Sequence, residues 1–389
     1  MAGRPSTVES MVSMQHQFNS VFQDKRILVT GHTGFKGSWL SLWLSELGAD
    51  VYGYALEAPT NPSLFEDAEV SSVLAGHEIG DVRDRENLKA YVEKVQPQIV
   101  FHLAAQPLVR LSYDEPAETF ETNVMGTVNL LEAVRHVSSV KVCQVITSDK
   151  CYENREWVYA YRENDPMGGY DPYSNSKGCS ELVVSSYRQS FFHPDRIAEH
   201  GVSLSSVRAG NVIGGGDWAV DRIIPDCIRA LEKSTPINIR NPHAVRPWQH
   251  VLEPLSGYLW LAAKQYLEPG SYEEGWNFGP GGVGNVPVSD IATTVVKAWG
   301  SGSWACEHPD IDKVHEARFL KLDITKANDL LEWHPVNSVK DAIEATVAWY
   351  LSRSRDSVDL QSVTIDQIRA YSEKAARLGI CWATRKGGQ

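Results

Sequence analysis

The chain reads as an α/β protein: a doubly wound parallel sheet, with a smaller lobe built from its C-terminal part. Three observations predict this. Short apolar runs of strand length alternate with helical repeats through residues 26–210. The first run opens directly into Gly31, Gly34 and Gly37. Later runs end in small or polar residues, as strand ends beside a ligand crevice do.

Taken in order, residues 1–24 are polar and lack the apolar stretch of a signal peptide, which predicts a flexible N-terminal extension. Residues 26–30 form the first strand. The turn Gly31-His32-Thr33-Gly34-Phe35-Lys36-Gly37 follows, then Leu40, Trp43, Leu44 and Leu47 at helical spacing, with Gly48 as a stop. A strand at 51–55 completes a βαβ unit of Rossmann type. In such a unit glycines let backbone approach a diphosphate at the helix N-terminus, so the chain should bind a dinucleotide. The acidic residue expected at the end of the second strand to hold the adenosine ribose is missing. Glu57 comes late, and His32 and Lys36 would tolerate a 2′-phosphate, so NAD and NADP both stay open at this point.

Asp81 and Val82 follow the next short strand. Asp81 has two readings, a partner for the adenine amino group or a helix N-cap. The strand 99–103 ends at Leu103 and opens into Ala104, Ala105 and Gln106, small residues that let a cofactor pass close. A helix over 120–135 carries Asn123, and a strand over 140–147 runs into Thr147, Ser148, Asp149 and Lys150. Downstream, Tyr173 is the only tyrosine with a lysine four residues later, Lys177. On a helix that spacing puts phenol and ammonium on one face. The ammonium should favour the phenolate and so make Tyr173 a usable base.

Residues 202–207 form another strand, followed by Asn211 and a Gly214-Gly215-Gly216-Asp217-Trp218 loop. Arg222, Arg246 and Arg318 are candidate phosphate ligands, because a guanidinium fork matches phosphate oxygens. Trp218 and Trp248 could stack on a base, with core packing the stronger reading for Trp248. An edge strand is expected over 235–240, and helices over 288–300, 338–352 and 365–378. The domain plan is a cofactor domain over 25–210 and a substrate lobe over 211–389, interleaved with it.

Composition narrows the class. Hydrophobic content of 42% and charged content of 22% suit a globular protein. A net charge of −12 argues against nucleic-acid or anionic-membrane partners, and no apolar run reaches membrane-spanning length. Six scattered cysteines without a CxxC pair suit reduced thiols in the cytoplasm, with neither disulfides nor a metal site.

The segments TGHTGFKG, HLAA, NVMGTVNLLEA, TSDK and YSNSK, in this order, resemble the extended short-chain dehydrogenase/reductase family that works on nucleotide-sugars. TSDKCYEN, GGGDWAVDRIIPD and RPWQHVLEPLSGYL resemble its 4,6-dehydratase branch, over roughly residues 25–375. The resemblance implies NAD as cofactor, CDP-glucose as substrate and a homodimer formed through a four-helix bundle from 120–136 and 174–192. It implies that Gly31, Thr33, Gly34, Phe35, Lys36, Gly37, Asp81, Val82, Leu103, Ala104, Ala105, Asn123, Thr147, Tyr173 and Lys177 meet the cofactor. Gln106, Asn211, Asp217, Trp218, Arg222 and Arg246 would meet the substrate. Tyr173, Lys177 and Ser148 would serve C4 oxidation, and Asp149, held protonated, would be the acid at C6. Lys150 stands where many relatives carry a glutamate base. Its own role is either base at C5 or stabiliser of the C4 enolate. An Asp149–Lys150 ion pair closing a loop is the bland alternative, and an epimerase would need neither residue.

Overall fold

The computed structural model describes residues 14, 16–239, 241–281, 285–306, 319–355 and 357–384. Seven strands form the central sheet: β1 (Arg26–Thr30), β2 (Asp50–Ala55), β3 (Gly76–Ile79), β4 (Ile99–His102), β5 (Val142–Ile146), β6 (Ser203–Arg208) and β7 (Gly275–Asn277). Their order is β7-β6-β5-β4-β1-β2-β3, and every neighbouring pair is parallel. A parallel sheet covered on both faces needs apolar residues on both sides of each strand. β1 from its second residue, and β4, β5 and β6 throughout, are buried. The strand order reverses between β1 and β4, which opens a crevice at their carboxyl ends.

Helices α1 (Phe35–Glu46), α2 (Arg85–Val95), α3 (Gly126–Arg135) and α4 (Pro172–Ser190) flank the strands. The expected single helix over 120–135 is instead two helical pieces, Pro116–Phe120 and α3, joined by a π-helical turn at Glu121–Met125. That wider turn carries Asn123, and such turns frequently mark functional sites. The later chain adds α5 (Ile223–Glu232), α6 (Leu252–Leu267), α7 (Val288–Trp299), α8 (Val339–Arg353) and α9 (Leu360–Arg377). Three two-stranded pieces accompany them; the strand expected over 235–240 is reduced to Ile237–Asn238, paired with Trp304–Ala305.

The N-terminal segment corrects one expectation. Residues 17–24 are not a flexible extension: Phe18 and Phe22 are buried, and Phe18 stacks on Trp382 at 4.9 Å with an edge contact to Trp43. Two phenylalanines and a valine in an otherwise polar run supply the apolar area, and the Phe18 N–H donates to the Trp382 carbonyl. Residues 1–13 and 15 lie outside the described set, as does Arg318. No helix among the described residues is long and apolar enough to cross a membrane. No group of metal-ligating side chains occurs among them, and the six cysteines are unbridged.

Candidate active site

The glycine turn is built by contact between strand ends. Gly31 has φ 77°, and a Cβ there would sit 2.7 Å from Ala104 N. Only glycine fits both the left-handed backbone and the approach of the β4 loop. A Cβ on Gly37 would strike the Gly31 carbonyl, so α1 can start directly against the turn. No side chain caps α1, which leaves its first N–H groups for a ligand anion. This turn, the uncapped helix and the small Ala104 and Ala105 fit a dinucleotide diphosphate. Thr33 Oγ1 is committed to Leu56 O at 2.8 Å, and Val82 packs against Gly126.

Both routes to a 2′-phosphate are corrected. His32 is buried, packed against Gly53 and Phe65, with Nε2 3.3 Å from His77 Nδ1; burial pushes its imidazole down to about 4. Lys36 turns toward the catalytic end, among Arg222, Asp149, Lys177 and Asp217; burial, then Arg222, holds its ammonium down at about 8. His32 thus lies neutral against Gly53 and Tyr54 near the end of β2, and Lys36 turns away from it, so neither offers a cation to a 2′-phosphate. Asp81 is also corrected as an N-cap: Asp84 caps α2, while Asp81 binds the N–H and guanidinium of Arg83.

Asn123 is a brace. Its amide accepts from Gln106 N at 2.8 Å and donates to Gln106 O and to Ser176 Oγ at 2.8 Å, tying the loop after β4 to α4. Gln106 uses its own side chain on Leu108 and Thr119.

Helix α4 begins where it does because Asp171 caps it, accepting from Ser174 N at 2.8 Å, and Pro172 occupies the first turn. Tyr173 therefore lies at the helix start, facing the end of β5. The Ser148 hydroxyl bears on its phenol and favours the phenolate. The expected lowered phenol is corrected: burial pushes Tyr173 up to about 12, and the cation bearing on it is Arg222 rather than Lys177. Lys177, one turn on, is buried, with Nζ 3.4 Å from Ile146 O; burial lowers it to about 8 against the pull of Glu181.

Ser148 also donates to Asp149 Oδ1 at 2.9 Å and accepts from Lys150 N. Asp149 is buried, Lys150 is half-buried, and the two make no salt bridge. The loop-closing ion pair is thus not formed. Asp217 and Arg222 pair at 2.8 Å, and Arg222 acts electrostatically on both Tyr173 and Lys36, so this pair belongs to the same crevice. Asn211 sits at φ 51° just past β6. Arg246 lies in the strand Val245–Pro247, paired with Asn285–Pro287.

Trp218 is corrected to a core residue. It is buried, edge-on to Tyr350 at 5.1 Å, with Arg353 4.9 Å from its ring. The triple glycine is a packing joint: a Cβ on Gly215 would run into Trp349, and Trp39 Nε1 donates to Gly215 O at 3.0 Å.

Three residues escaped the sequence reading. Glu181 follows Lys177 by four on the same helix face, and its carboxylate takes Thr147 Oγ1, Ser206 Oγ (2.5 Å) and a bidentate Arg208 (2.9 and 2.8 Å). The Tyr-x3-Lys-x3-Glu spacing was the available signal. Arg208 reaches on to Tyr152 OH at 2.6 Å. Gly210, beside Asp149, had no signal at all.

A glycine turn at β1 and a Ser-Tyr-Lys set between β5 and α4 define a dinucleotide-dependent enzyme of the extended short-chain dehydrogenase/reductase type. The sequence profile of GDP-mannose 4,6 dehydratase matches residues 28–346, and the chain belongs to that family. It is 57% identical over 333 residues, 85% of this chain and 91% of the other, to the CDP-glucose 4,6-dehydratase of Salmonella typhimurium. It is 26% identical to the CDP-paratose 2-epimerase of Salmonella typhi, over 83% of this chain and 98% of that one. Among solved structures, UDP-glucose 4-epimerase of Thermotoga maritima with UDP-glucose superposes with a TM-score of 0.71 at 23% identity, over 85% of this chain and 100% of that one. The dTDP-glucose 4,6-dehydratase of Bacillus anthracis in complex with NAD gives 0.68 at 20% identity, over 85% and 97%. These two likenesses speak for the fold.

Proposed function

We propose that the protein is a CDP-glucose 4,6-dehydratase that uses and regenerates NAD. The observation carrying this reading is the placement of Asp149, hydrogen-bonded to the same Ser148 that meets Tyr173, with Lys150 next in the chain. An epimerase needs the serine and the tyrosine but not a buried carboxylic acid beside them. The 57% likeness to the Salmonella enzyme supports CDP-glucose as substrate.

Bound NAD+ supplies the acceptor, and later the donor, of one hydride. Tyr173 takes the proton of the C4 hydroxyl, and Ser148 hydrogen-bonds the oxygen as it becomes a ketone. Lys177 holds positive charge next to the phenol's helix turn. The ketone acidifies C5–H. Breaking that bond and the C6–O bond forms the C5=C6 double bond, with the C5 proton passing to a base and the Asp149 proton leaving with the C6 hydroxyl as water. Return of the hydride to C6 and of a proton to C5 gives the 4-keto-6-deoxy sugar. Lys150 either takes the C5 proton as a neutral amine or stays charged and stabilises the enolate. Arg222, Arg246, Asn211, Asp217 and Gln106 are the candidates for the sugar diphosphate.

Incubation with CDP-, dTDP- and GDP-glucose in parallel, with NAD+, tests the reading by product mass. Loss of one water from CDP-glucose alone is the expected result; an unchanged mass with altered sugar configuration would make it an epimerase. Lys150→Ala should keep hydride transfer and fail to eliminate, so that an undehydrated 4-keto hexose accumulates. Normal product from that variant removes the lysine from the mechanism.

The assembly is a homodimer formed by the helices around residues 120–136 and α4. Met125 and Leu182 support this reading, being large apolar residues left 49% and 60% exposed on them. Leu182→Glu should convert a dimer to a monomer in sedimentation; an unchanged mass would move the interface elsewhere. A cytoplasmic location goes with soluble nucleotide-sugar substrates.

A further inference from the structure

Gly210 follows the end of β6, and it is not among the glycines with positive φ. Glycine is therefore not required here by conformation. It is required by space: a Cβ at this position would overlap the Asp149 carboxylate, meeting Cγ and both oxygens. The carboxylate lies flat against the Gly210 α-carbon.

The backbone on that side cannot easily give way. Phe278 N donates to Arg208 O at 2.8 Å, and Gln249 N donates to Asn211 O at 3.2 Å. The buried Gln249 side chain donates to both Gly210 O and Phe278 O, at 3.2 and 3.1 Å. Two hydrogen-bonded residues and a side-chain bridge thus pin the segment 208–211. The carboxylate, by contrast, is held by a single Ser148 hydroxyl and turns on two side-chain torsions. Any side chain at 210 must displace the acid before it displaces the strand end.

We infer that Gly210 is a positioning residue for Asp149, the absence of a side chain there setting where the acid stands relative to the C6 oxygen of the substrate. This rests on the reading of Asp149 as the acid of the elimination. A displacement on the order of 1 Å is enough to cost about 10²-fold in a step that depends on alignment. The oxidation at C4 uses Tyr173 and Ser148, neither of which is among the atoms a Cβ at 210 would meet first. The two half-reactions should therefore separate.

The test compares Gly210→Ala with Asp149→Asn in the full chain with NAD+ and CDP-glucose. Reduced nicotinamide reports the first hydride transfer, and product mass reports loss of water. Gly210→Ala is expected to keep the first transfer within about 3-fold and lose dehydration by about 10²-fold. If Asp149→Asn stops dehydration while Gly210→Ala dehydrates at the native rate, the positioning role is overturned and the acid role stands. If Asp149→Asn itself dehydrates normally, the acid reading falls and takes this proposal with it. Equal loss of both steps in Gly210→Ala would mark a merely structural glycine. Thermal unfolding keeps the proposal testable should that variant fold poorly: in Gly210→Ala/Asp149→Ala the overlap is gone, and the lost Tm should return. A double variant with additive losses would overturn it.

Discussion

Glu181, on the buried face of the catalytic helix α4, and Glu253, in α6 of the C-terminal lobe, are both withdrawn from water, and each accepts several hydrogen bonds. Glu253 takes Val336 N, Asn337 N and Tyr371 OH at 2.7–2.9 Å. Glu181 takes two hydroxyls and a guanidinium. Their ionisation differs in sign. Burial raises Glu253 to about 7, whereas for Glu181 the Arg208 guanidinium overcomes burial and holds the carboxyl below its ordinary range. Neutral donors fix the position of a buried carboxylate without keeping it charged; a cation in contact does both. The site needs the second kind, because Glu181 is what draws the buried Lys177 back toward its charged form.

The largest expected effect follows from removing that cation's partner. Glu181→Gln leaves Arg208 buried and unpaired and should destabilise the fold by about 3–5 kcal/mol in chemical denaturation. If it costs no more than a surface change, Arg208 is not relying on Glu181. Replacing both, as Glu181→Leu/Arg208→Met, should recover most of the loss.

Next comes pH. Glu253 binds its proton more tightly folded than unfolded, so between its ordinary 4.5 and about 7 the folded state holds the extra proton. Stability from this group is therefore full below 4.5 and falls as pH rises, by about 3 kcal/mol in all. Glu181 has the opposite sense: its contribution is present above the ordinary carboxylate range and is lost as pH falls through its lowered value. Glu253→Gln should flatten the decline in Tm between pH 4.5 and 7; a decline that persists in this variant assigns it to another group. The smallest effect is that of Tyr371→Phe. It removes one neutral donor, costs about 1 kcal/mol, and moves the end of that decline to higher pH. A midpoint that moves down instead would mean the phenol favours the protonated form.

Much of the sheet was legible, because strand burial on two faces writes a continuous apolar run and helix periodicity does the rest. Tyr173 and Lys177 were legible for the same reason: a spacing of four on a helix fixes a shared face. Side-chain commitments were not. Asn123, Gln106 and Thr33 look like free polar ligands in a sequence, but each is spent on a protein partner: Ser176 and the Gln106 backbone, Leu108 and Thr119, and Leu56. The glycines show the limit most clearly. Gly31 and Gly37 serve a turn, Gly215 makes room for Trp349, and Gly210 makes room for Asp149. The turn glycines show in the sequence by their spacing, whereas Gly215 and Gly210 gain their meaning only when the fold supplies Trp349 and Asp149. The N-terminal segment reads as an extension because Phe18, Val21 and Phe22 are one turn of apolar residues, too short to stand out in a polar run.

The outer strand β7 and the Phe18–Trp382 stack both join early chain to late chain. During synthesis on the ribosome, β6 leaves the exit tunnel with one edge bare, and that edge stays open until residues 275–277 emerge. Trp43 waits longer still, for Tyr371 and Trp382. The nascent first half thus leaves apolar surface and a strand edge open, and its native packing is completed only once Trp382 has emerged.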